Sequence, residues 1–408
     1  MIGANRSERR LKVMMIDPNA NTPPYDRALC AALAAKGCDV ELVTAPFVYE
    51  QLSPPVDFRL THGFFRLLGN PRWSTLFSRA TVRRAIKTIE YPADYAWLAA
   101  HISRERPDVV HWQWSFSAHA DATFARWLRF RGIASVYTVH NLVPHEAAGQ
   151  QSTPWRSPLF GRTSAVIVHS ERSKSLLLGT LGPGSPKVLV APHGPPLPAA
   201  FEVGTSEARQ RLGLPAGAHI ALFAGLIEPY KGLDTLIEAF AGVAARDPAA
   251  FLVVAGRPNH PIEPYRRRLA ELGLSQQAYI EARFMPGERL ATYLCAADAV
   301  VLPYRDTTAS GMLMAAWQFG RPVVASAVGD LSELIVEGRS GTLVPPMRAN
   351  ELAQAILRIF EDQPFARRVG EGGRERGRTD QSWEVAAQRT AALYNHVADE
   401  MSLLARRA

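Results

Sequence analysis

The stretch Leu222–Phe240 reads L-F-A-G-L-I-E-P-Y-K-G-L-D-T-L-I-E-A-F. Its apolar run ends at Gly225 and a short loop with Pro229 follows. After Lys231 the apolar residues recur at helical spacing. A strand, a loop and a helix in this order form a βα unit, from which parallel sheets are built. This stretch therefore predicts an α/β fold.

The same rhythm of short apolar runs and longer helical patterns extends in both directions. In the first half the predicted strands are Leu11–Ile16, Val40–Val43, Val109–Trp112, Ser135–Thr138, Ala165–Val168 and Val188–Ala191. In the second half they are Ile220–Ala224, Phe251–Ala255, Tyr279–Ala282, Ala299–Leu302, Pro322–Ala325 and Gly341–Val344. The predicted helices include Tyr25–Lys36, Ala93–Arg106, Leu233–Ala245, Gly287–Ala297, Met312–Phe319 and Ala349–Glu361. Two Rossmann-like domains with parallel sheets are expected.

The domain boundary is predicted at Ala191–Pro198, where four prolines in eight residues exclude a continuous strand or helix. The expected domains are 1–192 and 193–382. A final helical segment, 383–408, is expected to pack back on the first domain. Ligands of such folds bind at the carboxyl ends of the strands.

The composition is that of an ordinary globular chain. Of 408 residues, 47% are hydrophobic and 21% are charged, which excludes disordered, collagen-like and disulfide-scaffold proteins. Cys30, Cys38 and Cys295 have no metal-ligand spacing, and an odd number of cysteines favours a reducing compartment. No apolar run reaches the roughly 20 residues of a membrane helix. A cytoplasmic protein is expected.

The net charge of +8 is confined to the first half of the chain. Between Asp57 and Glu90 seven basic residues occur without an acid, interleaved with Phe, Trp and Leu. Such a stretch suits the boundary of an anionic bilayer, so Arg79, Arg83, Arg84 and Lys87 are candidates for peripheral contact with anionic lipid at the inner face of the membrane. A solvated helix pair and a phosphate-attracting rim explain the charge equally well. Binding of nucleic acid is disfavoured because no recognition motif is present.

Two predicted helix starts in the second half are candidate anion sites. Lys231 precedes one helix, and Ser310-Gly311-Met312 opens another directly after a strand. Free backbone amides and the helix dipole at such a start favour a phosphate, and a lysine adds a mobile positive charge. The other interpretations are a surface lysine and an ordinary helix capped by Thr308 or Ser310.

Polar clusters also follow two strands of the first half. His140, Asn141, His145 and Glu146 follow one predicted strand, and His111 and Trp112 end another. An indole face could stack on a sugar, or Trp112 and Trp114 could form a packed pair. A core histidine with a capping acid is the other interpretation of His140. Metal binding by His140, His145 and Glu146 is disfavoured by their spacing.

At this point the chain resembles the GT-B fold glycosyltransferases of family 4. The resemblance rests on G-L-I-E-P-Y-K-G-L-D-T-L-I-E-A-F, on L-V-V-A-G, on A-A-D-A-V-V-L-P-Y and on G-R-P-V-V-A-S-A-V-G-D-L-S-E-L-I-V-E-G-R-S-G-T-L-V-P-P. It implies two parallel sheets that face each other across a cleft. It further implies retaining transfer from a nucleoside diphosphate sugar, with no metal or other cofactor.

The resemblance also assigns roles to matching positions. Lys231 matches the lysine that holds the donor diphosphate, and His140 matches the histidine that reaches the donor sugar; these two are the candidate catalytic residues. The predicted diphosphate and sugar ligands are Gly225, Lys231, Arg305, Asp306, Thr307, Thr308, Ser310, Gly311 and Met312. The base and ribose are expected near Gly256, Arg257, Arg283, Phe284 and Ala315. The predicted acceptor or cleft residues are Asn19, Tyr25, His111, Trp112, Asn141, His145 and Glu146.

The chain departs from the family pattern at three positions. Leu226 replaces the arginine partner of the lysine, and Thr307 and Ala315 replace two glutamates eight positions apart. The resemblance therefore indicates a branch without the usual glutamate pair. Arg305 is expected to replace the missing cation. Glu228 and Glu333 are the nearest acids that could compensate.

The expected partners are a UDP- or GDP-sugar and a glycan or polyprenyl-diphosphate-linked acceptor in surface-glycan assembly. The alternative is a non-catalytic protein of the same fold that binds a nucleotide or glycan. Release of nucleoside diphosphate would distinguish an enzyme from such a binding protein.

Overall fold

The structure is a computed structural model that describes residues 9–68, 80–142, 157–182 and 184–407. By its internal contacts the chain divides into two compact units. Unit 1 contains Met1–His140, Arg156–Pro192 and Trp383–Ala408, and unit 2 contains Asn141–Trp155 and His193–Ser382.

The elements before the proline-rich segment all belong to unit 1. They are β1 (Lys12–Asp17), α1 (Pro23–Ala35), β2 (Asp39–Thr44), β3 (Arg59–His62), α2 (Ala80–Glu105), β4 (Val109–Trp112), α3 (Ala118–Phe130), β5 (Ala134–Thr138), β6 (Ala165–Val168), α4 (Glu171–Leu178) and β7 (Lys187–Val190).

The remaining elements form unit 2, except for the last helix. They are α5 (Thr205–Leu212), β8 (His219–Ala224), α6 (Leu233–Arg246), β9 (Ala250–Ala255), α7 (Glu263–Glu271), β10 (Ala278–Glu281), α8 (Gly287–Ala296), β11 (Ala299–Leu302), α9 (Gly311–Gln318), β12 (Val323–Ser326), α10 (Leu331–Leu334), β13 (Thr342–Val344), α11 (Ala349–Glu361), α12 (Gln363–Arg378) and α13 (Trp383–Arg407). Short 3-10 turns occupy Ala199–Phe201 and Pro229–Lys231.

The sheet of unit 1 has the strand order β3-β2-β1-β4-β5-β6-β7, and every neighbouring pair is parallel. Helix α13 belongs to this unit. Its Tyr394 and Val397 share a buried core with Cys30 and Leu33 of α1. The chain therefore returns to unit 1 after completing unit 2, because the apolar face of α13 finds its partner on α1.

The sheet of unit 2 has the order β10-β9-β8-β11-β12-β13, again with parallel neighbours. Alternate residues of β8 enter two different cores. Leu222 packs in one core, and Phe223 packs in the other together with Leu236 and Phe240 of α6. Burial on both faces explains why the strand reads as a continuous apolar run.

These two parallel sheets confirm the predicted α/β class. Two elements differ from the prediction. Strand β3 was missed because Arg59–His62 is a half-exposed edge strand without an apolar run. Helix α2 begins at Ala80 and contains Pro92, whereas the predicted helix began at Ala93.

Candidate functional site

Lys231 stands where β8 passes into α6. The chain leaves β8 at Gly225, which has a φ of +102°, and reaches Lys231 through a 3-10 turn. The side chain of Lys231 is only 9% exposed. Its Nζ atom lies 3.3 Å from the place that a Cβ on Gly225 would occupy, and Cγ of Met312 lies 3.4 Å from the same place. The predicted lysine site and the start of α9 therefore meet at Gly225.

Two backbone contacts hold these loops together. The amide of Arg305 donates to the carbonyl of Tyr230 at 2.7 Å. Gly232 has a φ of +67°, and a Cβ there would collide with the carbonyl oxygen of Pro303. Only glycine accommodates both this left-handed conformation and this approach. Gly232 thus sets the distance between the Lys231 loop and the loop that leads into α9.

Burial determines the electrostatics of Lys231. Loss of solvent lowers the pKa of its ammonium group to about 8, and the carboxylate of Glu228 opposes this shift. The ammonium also lies 5.4 Å from the ring centre of Tyr304. Glu228 itself accepts a hydrogen bond from Asn259, and its Oε2 lies 3.0 Å from Nε2 of His260. A buried cation with a lowered pKa gains free energy when an anion joins it.

The start of α9 is capped by a side chain, and two of its backbone amides remain available to a ligand. Ser310 Oγ accepts a 3.2 Å hydrogen bond from the amide of Leu313. In this described segment the preceding amides of Gly311 and Met312 have no acceptor within the helix, because they belong to its first turn. The cap interpretation is correct for Ser310. It leaves the anion interpretation open for Gly311 and Met312.

Sequence reasoning missed His193 at this place. Its Cε1 lies 3.8 Å from the position of a Cβ on Gly311. Burial lowers the pKa of His193, so the ring is neutral at pH 7. The proline-rich stretch was interpreted as a domain boundary, so His193 within it was not considered as a site residue.

The loop between β11 and α9 differs in detail from the prediction. The Thr307 hydroxyl donates to the carbonyl of Ala309 at 2.9 Å, so its proton is occupied within the loop. Asp306 is half-buried. Thr308 Oγ1 lies 3.5 Å from Oδ1 of Asn141, a residue that belongs to unit 2. Arg305 forms an ion pair with Asp234 in the first turn of α6.

The predicted base and ribose residues lie beside β9 and β10. The amide of Gly256 donates to the carbonyl of Glu281, and the carbonyl of Arg257 accepts from the amide of Ile227. Arg283 pairs with Glu281, while Phe284 is half-buried in the next position.

Glu281 connects several side chains at this edge of the sheet. Its carboxylate also accepts hydrogen bonds from Arg289 at 2.8 Å and from Tyr293. Burial raises the pKa of this carboxyl, but the hydrogen bonds outweigh it and the net pKa is lowered.

Ala315 is a wrong prediction. It is completely buried in the core beneath α9, so its side chain contacts no ligand. Of the two acids that could compensate for the missing pair, Glu333 is exposed in α10. Glu228 is the one with an electrostatic effect on Lys231.

In unit 1, His140 follows β5 at the carboxyl edge of the sheet. Trp114 stacks on it with ring centres 4.8 Å apart, and Tyr25 meets it edge-on at 4.9 Å. Its ring nitrogens contact Gln113 and His169. Neither Gln113 nor His169 was predicted as a partner of His140. Their positions directly after predicted strands were visible in the sequence, but only the strand order of the sheet shows that these strands neighbour β5.

Asn19 and Lys87 meet at the same edge. Lys87 Nζ donates to Oδ1 of Asn19 at 2.7 Å and lies 4.6 Å from the ring centre of Phe65. Lys87 was predicted as a lipid contact beside three arginines. The structure turns its ammonium toward the loop after β1 instead, because an amide oxygen and an aromatic face attract it there.

A buried acid pair lies beside this loop. Asp17 accepts the amides of Asn21 at 2.6 Å and Asn19 at 3.2 Å. Burial raises the pKa of both Asp17 and Asp26, and that of Asp26 is raised well above its usual value. Two such carboxyls stabilise each other only when they share a proton.

The structure places His111 and Trp112 in the interior, so their predicted cleft position is wrong. Both are fully buried, and they face opposite sides of the sheet. His111 Nδ1 lies 2.5 Å from the hydroxyl of Tyr394, while the Trp112 ring packs edge-on against Phe124. Of the alternative interpretation, a packed pair of Trp112 and Trp114, only the burial of Trp112 is correct, because Trp114 is half-buried and stacks on His140.

Some predicted residues cannot be placed. Arg79, His145 and Glu146 lie outside the described residues, as do the side chains of Arg83 and Arg84. Within the described ranges, no group of three or more His, Cys, Asp or Glu side chains has an arrangement that could hold a metal ion. No helix in that part of the chain has the length and apolarity needed to cross a membrane.

Comparison with known proteins connects this geometry to a family. Residues 218–362 match the model for glycosyl transferases group 1, and residues 27–196 match the model for glycosyltransferase family 4. A D-inositol 3-phosphate glycosyltransferase of Nocardioides sp. is 30% identical over 318 residues, which cover 72% of this chain and 68% of that protein.

Solved structures show the same fold. Sucrose-phosphate synthase from Thermosynechococcus elongatus superposes with a TM-score of 0.71 at 24% identity, covering 95% of this chain and 99% of that one. Anabaena HepE in complex with UDP and glucose gives a TM-score of 0.65 at 18% identity, over 95% and 100% of the two chains. The chain belongs to the family 4 glycosyltransferases of GT-B fold.

Proposed function

We propose that this glycosyltransferase moves a sugar, with retention of configuration, from a UDP- or GDP-sugar to a glycan or a polyprenyl-diphosphate-linked glycan in surface-glycan assembly. The observation that carries the proposal is the meeting of Lys231 and the start of α9 at Gly225. A buried ammonium and the free amides of a helix start are complementary to a diphosphate. The UDP complex of the structural neighbour HepE supports this choice of donor.

The main catalytic contribution is electrostatic. Negative charge grows on the diphosphate as it leaves the sugar, and Lys231 with the amides of Gly311 and Met312 stabilises that charge. Preorganised donors in a buried site are effective because they need no reorganisation during the reaction. The low pKa of Lys231 increases its gain on meeting the diphosphate.

Arg305 supplies the second cation. Its guanidinium is held by Asp234 at the start of α6, and the same loop carries its amide to Tyr230. The fork of an arginine matches the oxygens of a diphosphate. Arg305 thereby compensates for Leu226, which has no charge.

Retention follows when the acceptor hydroxyl attacks on the face that the diphosphate leaves. The bond from the anomeric carbon to the acceptor oxygen forms as the bond to the diphosphate oxygen breaks, and the departing diphosphate takes the hydroxyl proton. In this proposal His140 holds the donor sugar, and no side chain acts as a covalent nucleophile. Thr308 and Asp306 bind sugar hydroxyls in place of the absent carboxylate, because the proton of Thr307 is already bound to Ala309. No cofactor is needed in this scheme.

The acceptor site belongs to unit 1. A cavity of about 210 Å³ opens beside the start of α1, with Asp26, Arg27, Thr44, Phe47, Leu52 and His62 among its lining residues. Lys87 and Asn19 lie at the same carboxyl edge. A largely apolar cavity with a nearby cation suits an acceptor that joins an apolar portion to a phosphate.

A phosphorylated cyclitol is the second candidate acceptor. Curated relatives carry the name D-inositol 3-phosphate glycosyltransferase. The ammonium of Lys87 would bind the phosphate of either acceptor. We further propose a cytoplasmic enzyme that touches the inner face of the membrane through the basic stretch when its acceptor is lipid-linked.

A thermal-shift panel of UDP-, GDP-, ADP- and dTDP-sugars tests the donor, because a bound donor stabilises the fold by mass action. The expected result is a shift with one UDP- or GDP-sugar. The transfer product is then examined by NMR, and an anomeric configuration equal to that of the donor supports retention. Saturable binding without release of nucleoside diphosphate would contradict the proposal.

A further inference from the structure

A chain of hydrogen bonds crosses the carboxyl edge of the unit 1 sheet. Gln113 follows β4, His140 follows β5, His169 follows β6 and Ala191 follows β7, and these four strands are neighbours in this order. Gln113 Oε1 lies 3.1 Å from His140 Nε2, and His140 Nδ1 lies 3.3 Å from His169 Nε2. His169 Nδ1 lies 3.0 Å from the carbonyl oxygen of Ala191.

Both ends of this chain are acceptors. The carbonyl of Ala191 has no proton to donate. At the other end, the Gln113 amide nitrogen lies 3.1 Å from Sδ of Met15 and 3.5 Å from Nε2 of His111. A thioether only accepts, so reversing the amide would set its oxygen against the sulfur with no proton between them. The amide oxygen of Gln113 therefore faces His140.

The protons on the two imidazoles can now be counted. The outer nitrogens, Nε2 of His140 and Nδ1 of His169, must both carry a proton because each faces an oxygen. The inner nitrogens need one more proton to form their bond. Three protons on two imidazoles make one positive charge, whereas a neutral pair would lose one of the three hydrogen bonds.

We propose that His140 and His169 share a single proton and form one cationic pair in the free enzyme at pH 7. His169 is a positioning residue in this pair. The inference rests on the proposed function for its catalytic consequence: His140 presents positive charge to the donor and does not serve as the base that deprotonates the acceptor.

The surroundings of the pair suit a cation. The indole of Trp114 lies parallel to the His140 ring, at an angle of 12°. The face of an indole attracts positive charge. Tyr25 of α1 meets both imidazoles edge-on, at 4.9 and 5.7 Å.

Four further titratable groups belong to this environment. Burial raises the pKa of Tyr25, so the phenol stays neutral. The charge of Asp26 contributes to the raised pKa of Tyr25, and the charge of Asp17 in turn raises the pKa of Asp26. His111 of β4 reaches the pair through Gln113, and burial lowers its pKa to about 3, so it is neutral at pH 7.

Three variants change the pKa of the pair. Two are expected to lower it and one to raise it. His169→Gln lets the Gln amide donate to a neutral His140, which removes the need for the shared proton. Gln113→Met removes the acceptor at the other end with little change of volume. Gln113→Glu places a carboxylate there instead, and an opposite charge at this distance raises a pKa by about 1–3 units.

The first measurement is ¹⁵N NMR of the histidines in the free enzyme, assigned with His140→Gln and His169→Gln. We expect that the two rings together carry three protons at pH 7. Two neutral rings at pH 7 would overturn the proposal, whatever the substrate of the enzyme.

The second measurement is the pH profile of kcat/KM. Lys231→Arg is the parent for this profile, because the ammonium of Lys231 would otherwise lose its charge above pH 8 and add its own alkaline limb. In this parent we expect activity to fall on the alkaline side as the pair loses its proton. The alkaline limb should move up by about one unit or more in Gln113→Glu, and down by about one unit or more in His169→Gln and Gln113→Met. A purely structural role would lower activity equally at all pH values. If NMR finds the shared proton but the limb does not move, the cationic pair stands and the proposed role of His140 at the donor is wrong.

Discussion

The ammonium of Lys231 lies 3.3 Å from the point at which a methyl group on Gly225 would stand. This relationship joins the end of β8 to the beginning of α6 and leaves room for a ligand only because Gly225 has no side chain. The side chain of Met312 borders the same space from α9. A change at Gly225 therefore tests whether this space is the diphosphate site.

Gly225→Ala is expected to weaken binding of UDP and to lower kcat/KM. The new methyl group would displace Lys231 and Met312, and the positive φ would add about 1–2 kcal/mol of strain. The measurements are the thermal shift with UDP and steady-state kinetics. Gly213→Ala is the matched control, because Gly213 also has a positive φ but no atom lies within 4 Å of its Cβ position. Equal UDP affinity in both variants would exclude Gly225 from the donor site.

Lys231→Ala is expected to reduce kcat by roughly 30- to 1,000-fold, which corresponds to about 2–4 kcal/mol of lost transition-state stabilisation. The reason is the loss of the buried charge that faces the leaving diphosphate. Single-turnover transfer measures this loss without interference from product release. Lys174→Met, which removes a partly exposed lysine of unit 1, serves as the control. Unchanged turnover of Lys231→Ala contradicts the assignment.

The lowered pKa of Lys231 also predicts a dependence on pH. Between its folded value of about 8 and its ordinary value of 10.5, the unfolded chain binds a proton that the folded chain does not. The free energy of unfolding contributed by this residue therefore rises as pH increases through that window and falls as pH drops toward 8. Lys231→Met should remove the rise, as measured by urea unfolding at pH 8 and 10.

UDP binding should show the opposite trend, because only the charged ammonium attracts a diphosphate. In the wild-type enzyme the affinity is expected to fall above pH 8. Lys231→Arg should keep its affinity over the same range, since arginine stays protonated. A wild-type affinity that stays constant up to pH 10 would show that Lys231 does not contact the diphosphate.

Asp234→Asn is expected to strengthen UDP binding by roughly fivefold, or about 1 kcal/mol. The change releases Arg305 from its carboxylate and removes one negative charge near the site. Arg305→Gln should weaken binding, and because the pair is partly exposed neither change should alter stability by more than about 1 kcal/mol. Glu238→Gln breaks another exposed ion pair of α6 and is the control. Weaker binding in Asp234→Asn would argue that Asp234 itself serves the donor.

His111 is expected to make unit 1 sensitive to acid. Burial lowers its pKa from 6.5 to about 3, so the unfolded chain binds a proton in this window that the folded chain excludes. Stability from this residue is complete above pH 6.5 and is lost as pH falls toward 3, at up to about 1.4 kcal/mol per pH unit. Urea unfolding at pH 7, 5.5 and 4.5 should show a smaller loss for His111→Gln than for the wild type.

Tyr394→Phe tests the same contact from the other side. It leaves a buried nitrogen of His111 without its partner and is expected to cost about 1–3 kcal/mol at pH 7. Tyr279→Phe, at an exposed position of β10, provides the comparison. Equal stability of the two variants would mean that the hydrogen bond between His111 and Tyr394 contributes nothing.

The basic stretch divides into two expected roles. Replacing Arg79, Arg83 and Arg84 with Gln should reduce sedimentation with anionic vesicles by at least about tenfold, since each charge near such a surface contributes about 1 kcal/mol. Lys87→Gln should raise the KM of the acceptor, because its ammonium points at Asn19. Glutamine at the exposed residues Arg126 and Arg129 of α3 and at Arg131, which directly follows α3, removes the same charge as a control. Vesicle binding that falls equally in both triple variants would indicate a general charge effect.

Local patterns in the chain were enough to predict most strands and the positions at which they end. The apolar run of β8, the turn at Pro229 and the helical spacing from Leu233 are all visible in 19 residues. The positions of Lys231 and Ser310 at helix starts follow from the same patterns, because burial and backbone conformation repeat with a fixed period along an element. The resemblance to the family then indicated a nucleoside diphosphate sugar as the donor.

Contacts across strands had no such signal. Gln113, His140 and His169 come together because β4, β5 and β6 are neighbours, and the residues are separated by 27 and 29 positions along the chain. The interior position of Trp112 depends on helices that pack against its face of the sheet, and the burial of Ala315 depends on the core beneath α9. Strand order and helix packing arise from long-range association of apolar surfaces, which leaves no periodic trace near the residues concerned. Periodicity thus located the ends of the strands, whereas the packing of the sheets selected which side chains meet there.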